Sequence, residues 1–348
     1  MAPATQFEVA QPPNDAISSL VFSNDSSHRL LVSSWDKHVY LYEIVDEQAN
    51  LINKYEHRAP VLDACFGANN NEAFTAGVDQ QVKRCVLNRP HNRRANPPKQ
   101  ALLPRPLRSL LPHPLPPHLR LLGLHPPHPP PLLPRLPPLV IPLPGKPHAL
   151  SSSPTKLVVA MTARLVHIYD LPTLASATTP PPPWQTRESS LKFLTRAVAC
   201  MPNDAGYATS SIEGRVAVEW FEDTPESQAR KYAFKCHRQA APEEEGGGDI
   251  VYPVNALAFH PVYGTFASGG GDGTVALWDA EAKRRMRQYQ KFSEAVAAMG
   301  FSGDGKYLAI GVCPGFETGM EDYTGGLGRT RVFVRELGET EAKGKGAK

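Results

Sequence analysis

The sequence predicts an all-β fold, a seven-bladed β-propeller, on three observations. A turn followed by alternating apolar residues recurs six times along the 348 residues. Two further strand-like segments precede most copies, giving repeat units of roughly 40 residues. One interval between copies is double, which leaves room for a seventh unit.

The recurring turn and strand reads WDKHVYLYEI at 35–44, VDQQVKRCVL at 78–87, TARLVHIYDL at 162–171, IEGRVAVEWF at 212–221, GDGTVALWDA at 271–280 and GRTRVFVREL at 328–337. About a dozen residues earlier lie LLVSS, EAFTAG, KLVVAM, YATSS, TFASGG and YLAIG, and before those ISSLVFS, VLDACFG, PHALSSS, AVACMP, VNALAFH and VAAMGFS. Alternation, β-branched residues and Gly/Asp/Ser turns make each unit a small antiparallel sheet. Asp36, Asp79 and Asp272 suit tight turns because a carboxylate accepts nearby backbone N–H groups. No helix follows GGGDGT at 269–274, so that run is a hairpin turn and not a phosphate loop. The first valines of the copies stand at 39, 82, 166, 216, 275 and 332, so the doubled step falls between Val82 and Val166. FEVA at 7–10 is expected to supply the outer strand of the last blade, which removes an open sheet edge. The propeller is thus placed at 1–337 and a disordered tail at 338–348, because GETEAKGKGAK is too polar to bury anything. APEEEGGGD at 241–249 reads as a mobile acidic loop between blades, and TTPPPPW at 178–184 as a stiff inter-blade connector, with a proline-ligand role as the alternative.

The empty slot holds an unusual run. From Ala101 to Val140 all but four residues are Leu, Pro, His or Arg. Every one of these residues has codons that begin with C, so the run reads as a third blade translated out of frame or mis-spliced. Leu121-Leu122-Gly123 is compatible, in the shifted frame, with the Ser-Trp-Asp that a blade turn needs 44 residues after Asp79. The alternative is a natural proline-rich arm, a ligand for SH3- or WW-like domains. In either case prolines remove ladder donors, and 88–141 is expected to be irregular, with no central strands.

Charge and cysteine usage narrow the function classes. The net charge is +3, from 37 basic and 34 acidic residues, but nine of the basic residues lie in 87–150 with no acid beside them. The remainder is mildly acidic, which argues against direct nucleic-acid binding. No apolar run is long enough to span a membrane, and the N-terminus lacks the pattern of a secretory signal. The five cysteines have no CxxC spacing, so neither a metal site nor a disulfide framework is expected. Ser189-Ser190, Cys236 and His237 form no nucleophile–base spacing, and no catalytic residue or cofactor is expected.

ISSLVFS, LLVSSWDKHVYLYE, RESSLKFLTR, SSIEGRVAVEWF, RKYAFKCHR and YPVNALAFHP together resemble the Bub-type WD-repeat proteins of the mitotic spindle checkpoint. The related WD-repeat mRNA-export factor of the nuclear pore is the alternative. The checkpoint resemblance implies a non-catalytic adaptor in the nucleus, at kinetochores in mitosis. It also implies two kinds of partner: GLEBS-type segments of checkpoint kinases or pseudokinases, and phosphorylated Met-Glu-Leu-Thr repeats of a kinetochore scaffold. By motif, Arg196 would pair with an acidic residue of the GLEBS segment, Arg215 and Lys235 would grip the phosphothreonine, and Trp35 would lie on the contacting face. An Arg fork suits phosphate oxygens, which carry about −1.5 to −2 charges.

Overall fold

The computed structural model describes residues 5–23, 28–67, 70–79, 82–87, 118–121, 139–242, 247–315 and 326–344. The chain opens with β1 (Gln6–Glu8) and then builds a first blade, β2 to β5 (Ile17–Phe22, Arg29–Ser34, His38–Val45, Gln48–Glu56). The second blade has three described strands, β6 to β8 (Val61–Phe66, Glu72–Gly77, Val82–Val86). After it come two short strands, β9 (His118–Leu121) and β10 (Leu139–Pro142), which pair with each other. The next blade is β11 to β14 (Pro147–Ser152, Lys156–Met161, Leu165–Asp170, Gln185–Glu188), with helix α1 (Leu171–Ser176) between its last two strands. It is followed by β15 to β18 (Thr195–Cys200, Gly206–Ser211, Arg215–Trp220, Tyr232–Lys235), again with a short helix, α2 (Pro225–Arg230), before the last strand. A hairpin, β19 (Arg238–Ala240) and β20 (Asp249–Val251), leads to the blade β21 to β24 (Val254–Phe259, Phe266–Gly270, Val275–Asp279, Arg284–Gln288). The last blade is β25 to β27 (Ala295–Phe301, Tyr307–Cys313, Arg331–Glu336).

β1 completes that last blade by pairing with β27, Phe7 opposite Val334, and the Val9 N–H donates to the Val332 carbonyl at 2.9 Å. The N-terminal segment thus closes the sheet that the C-terminal repeat leaves open, as FEVA implied. The first strands of the blades neighbour one another in the order β6, β2, β25, β21, β15, β11. This side-by-side packing explains the sequence pattern. Second strands are covered on both faces, so Leu30, Leu31 and Val32 of β3 are all fully buried and the run does not alternate. Outer strands such as β14 and β18 alternate, with one face on the neighbouring blade.

Six blades are therefore described, and the seventh predicted from the doubled interval falls in 88–117 and 122–138, outside the described residues. Part of the expectation for 88–141 needs correction. Leu139, Val140 and Ile141 pair with Leu121, Arg120 and Leu119, because Pro142 sits at the strand end where a missing donor costs nothing. Ile141 and Leu143 are buried against Leu157, Met161 and Leu174 of the following blade. The tail needs correction as well. Residues 338–344 are docked: Ala342 is buried, its carbonyl accepts from Thr265 Oγ1 at 2.8 Å, and Glu341 accepts from Arg335 Nε at 3.1 Å. Polar composition suggested fraying, but specific partners on β27 and beside β22 hold these residues. The acidic loop between β19 and β20 lies in part, at 243–246, outside the described residues. The segment 178–184 connects β13 to β14 within one blade, not one blade to the next.

Candidate peptide-binding face

Trp35, Arg196, Arg215 and Lys235 all lie where the first and third strands of their blades begin and the second and fourth end. They share one face of the ring. Trp35 follows β3 in the turn into β4 and is 37% exposed. Asp36 organises that turn, accepting from the His38 and Asn14 N–H groups at 3.0 Å each and from the Tyr40 hydroxyl. The carboxylate fixes the backbone and leaves the indole outside.

The other three residues belong to one blade. Thr195 pairs with Ser211 across β15 and β16, and Arg215 pairs with Lys235 across β17 and β18, so these residues form a row from the channel to the rim. Arg215 and Lys235 are direct cross-strand partners. In an antiparallel ladder such partners point to the same side with Cβ atoms about 4.5–5.5 Å apart, and like charges there repel. Glu213 relieves this only in part, with its carboxylate 3.5 Å from Arg215 Nε, which makes no hydrogen bond. Gly214 precedes Arg215 with φ of +64°, and a Cβ there would stand 2.7 Å from the Cys236 carbonyl. The glycine of SIEGR is thus what lets the turn deliver Arg215 to the face. Arg238, by contrast, is engaged, with the Glu213 carbonyl at 2.8 Å and Asp249 at 3.5 Å.

Arg196 is placed by a β-bulge. The ladder slips between Thr195 and Ala197, and the same slip occurs in the first strand of every described blade, at Ser18, Leu62, His148, Asn255 and Ala297. An extra residue in one strand bends it and re-aims that side chain. Arg196 Nε donates to Asn255 Oδ1 at 3.1 Å, and Asn255 Nδ2 donates to the Val296 carbonyl at 3.1 Å, linking three successive first strands. Alternation alone did not reveal these bulges. Sequence reasoning also missed Phe193, Leu194 and Ile212, exposed apolar neighbours of the basic row, joined by the Ile212 N–H to the Leu194 carbonyl. Trp35 does not join this cluster: the blades of β21 and β25 lie between its blade and theirs.

The motifs RESSLK and VAVEW meet in the interior. Glu219 is buried and accepts from Ser190 Oγ at 2.8 Å and from the Tyr207 hydroxyl at 3.0 Å, with the Arg187 guanidinium 4.0 Å away. Arg187 itself donates to the Trp220 and Phe221 carbonyls. These residues anchor the linker that leads into Arg196.

One constellation has the outline of a hydrolase triad. His237 Nδ1 lies 2.9 Å from Asp272 Oδ1, and His237 Nε2 lies 2.8 Å from Ser268 Oγ. Trp278 Nε1 donates to the same Ser268 oxygen at 2.8 Å. With Trp278 donating to the Ser268 oxygen, the geometry fits the tautomer in which the Ser268 hydroxyl donates to Nε2 and Nδ1–H donates to Asp272. Ser268 has no exposed surface and His237 almost none, so no substrate reaches them and the chain of bonds serves packing. Burial pushes the adjacent Cys236 thiol up to about 12, far from a reactive thiolate. Among the described residues no group of three His, Cys, Asp or Glu side chains could hold a metal ion.

Comparison with known proteins adds the following. The family described as WD domain, G-beta repeat, matches residues 7–43 and 250–279. Mitotic checkpoint protein BUB3.1 of Arabidopsis thaliana is 39% identical over 99% of this chain and 96% of its own length. Mitotic checkpoint protein bub3 of Dictyostelium discoideum is 33% identical over 91% of both chains. The Poly(A)+ RNA export protein of Schizosaccharomyces pombe is 31% identical over 88% of this chain and 83% of its own.

Proposed function

Because the chain belongs to the Bub3 family of WD-repeat mitotic checkpoint proteins, we propose that it is a non-catalytic adaptor that reads two kinds of peptide on one face of its propeller. A role in the spindle checkpoint follows from the family. The finer reading is that a GLEBS-type segment of a checkpoint kinase or pseudokinase crosses the face, meeting Trp35 and Arg196. Beside it, Arg215 and Lys235 hold the phosphothreonine of a Met-Glu-Leu-Thr repeat on a kinetochore scaffold. The protein would work in the nucleus and, in mitosis, at kinetochores.

The observation that carries this reading is the Arg215–Lys235 pair. Two cations set directly opposite in a ladder weaken it, and a doubly charged phosphate between them turns that repulsion into attraction. Phe193, Leu194 and Ile212 give the apolar residues of such a repeat a place to lie.

The test is a titration of the full chain with a Met-Glu-Leu-Thr peptide, with and without phosphate, in the presence of a GLEBS segment. One charge-assisted hydrogen bond is worth about 1.5–3 kcal/mol, so phosphorylation should tighten binding at least about tenfold. Arg215→Glu should remove most of that gain, and added salt should shrink it. Arg196→Glu should weaken the GLEBS segment while leaving the fold intact. Equal affinity for both peptides would discard the phosphate-reading role, and retained GLEBS binding would then favour the mRNA-export function.

A further inference from the structure

We infer that Thr179 is the residue at which a proline-directed protein kinase modifies the folded protein. The chain contains three Ser/Thr-Pro pairs, Ser153-Pro154, Thr179-Pro180 and Thr224-Pro225. By sequence the first is the best substrate, because Lys156 supplies a basic residue at the third position after the serine, a charge pattern such kinases discriminate by. The fold reverses that order.

Ser153 is buried, its hydroxyl is bound to Asp204, and it accepts from the Lys156 N–H at 3.1 Å within a tight turn between β11 and β12. Thr224 is the N-cap of α2. Its hydroxyl oxygen accepts from the Ser227 N–H at 3.2 Å, and the residues after it turn at once into the helix, so no extended stretch follows. A kinase cleft takes its substrate extended. Neither site offers that without local unfolding.

Thr179 does. It is exposed, and no hydrogen bond among the described residues engages its hydroxyl. Four prolines follow, 180–183, each with φ fixed near −65°, and each restricts the residue before it to the extended region. Residues 179–182 are therefore held in polyproline II geometry by covalent structure alone, with every peptide bond trans. The extended stretch is fixed at both ends. Asp170 caps α1 on one side, accepting from the Thr173 N–H at 3.0 Å. On the other, Gln185 enters the ladder with Ile168, and Lys156 Nζ lies 4.7 Å over the Trp184 ring. The substrate conformation is preformed, so little ordering entropy is lost on binding the kinase.

In the reaction Thr179 Oγ attacks the γ-phosphorus of ATP, and the bond from that phosphorus to the β–γ bridging oxygen breaks. ADP leaves, and the hydroxyl proton passes to the kinase's catalytic base. The test uses the full chain with a purified proline-directed kinase and ATP, read by intact mass and peptide mapping. Synthetic peptides spanning 148–160, 174–187 and 219–231 serve as unfolded controls. All three peptides should accept phosphate, the Ser153 peptide fastest, whereas the folded protein should accept one phosphate, at Thr179. Thr179→Ala and Pro180→Ala, both with unchanged thermal unfolding, should each abolish it. Phosphate on Ser153 or Thr224 of the folded protein, or none on Thr179, would overturn the assignment.

Discussion

At the scale of single residues, the same side-chain chemistry serves two ends depending on burial. Ser268, His237, Asp272 and Trp278 form a hydrogen-bond chain sealed from solvent. Burial alone would raise the Asp272 pKa, but hydrogen bonds from His237 and Thr274 outweigh it and hold the carboxyl below its ordinary value. His237→Ala would leave that carboxylate short of a partner inside the protein. A loss of about 3 kcal/mol or more is expected from chemical denaturation, against about 1–3 kcal/mol for Ser268→Ala. Neither substitution should touch peptide binding, because neither side chain reaches the face. Arg215, partly buried, and Lys235, exposed, are the reverse case: cross-strand and alike in charge, they repel across their ladder, a strain that the phosphate of the proposed function would relieve.

At the scale of elements, the bulge repeated in each first strand decides which side chains ring the channel mouth. Bulges depend on how one strand meets its neighbour, so Arg196 was nameable from its motif while its link to Asn255 was not. The C-terminal residues make a similar point. Glu341 is held by two nitrogens of Arg335, and Arg335 lies over the Tyr289 ring with its guanidinium carbon 4.4 Å from the centroid. Truncation after Leu337 would strip Arg335 of its carboxylate and leave the buried Thr265 hydroxyl without the Ala342 carbonyl. Stability should fall by about 1–3 kcal/mol, measured by urea denaturation, with little change in peptide affinity.

At the scale of the whole molecule, packed blades impose an acid limit. Burial lowers the pKa values of His57, His148, His167 and His260, that of His57 to about 4. The unfolded chain takes up these protons near pH 6.5 and the folded chain only at lower pH. Between those values the unfolded state binds more protons, so stability rises with pH there and is lost as pH falls from about 6.5 towards 4. Asp272, with its lowered carboxyl, adds a loss in the same direction at still lower pH. Thermal unfolding followed from pH 7.5 to 4.5 should show a steady fall in midpoint beginning near pH 6.5. His57→Gln should flatten that slope, since burial holds the His57 pKa down near 4 and glutamine does not titrate.

The four candidate residues came from the resemblance to the Bub-type WD-repeat family, whereas repeat spacing, alternation and the aspartate turns were local signals that determined the all-β propeller and the strand that closes its last blade. These last two follow from the order of residues along a strand, because a side-chain period of two and a turn carboxylate act within a few residues of one another. What only the tertiary structure decided depends on residues far apart in the chain. Arg196 meets Asn255 in the next blade, Thr265 takes hold of a tail that composition alone called loose, and Ser153 rather than Thr179 is shut away by Asp204. Such contacts arise from packing one blade against the next, and no period along the sequence encodes them.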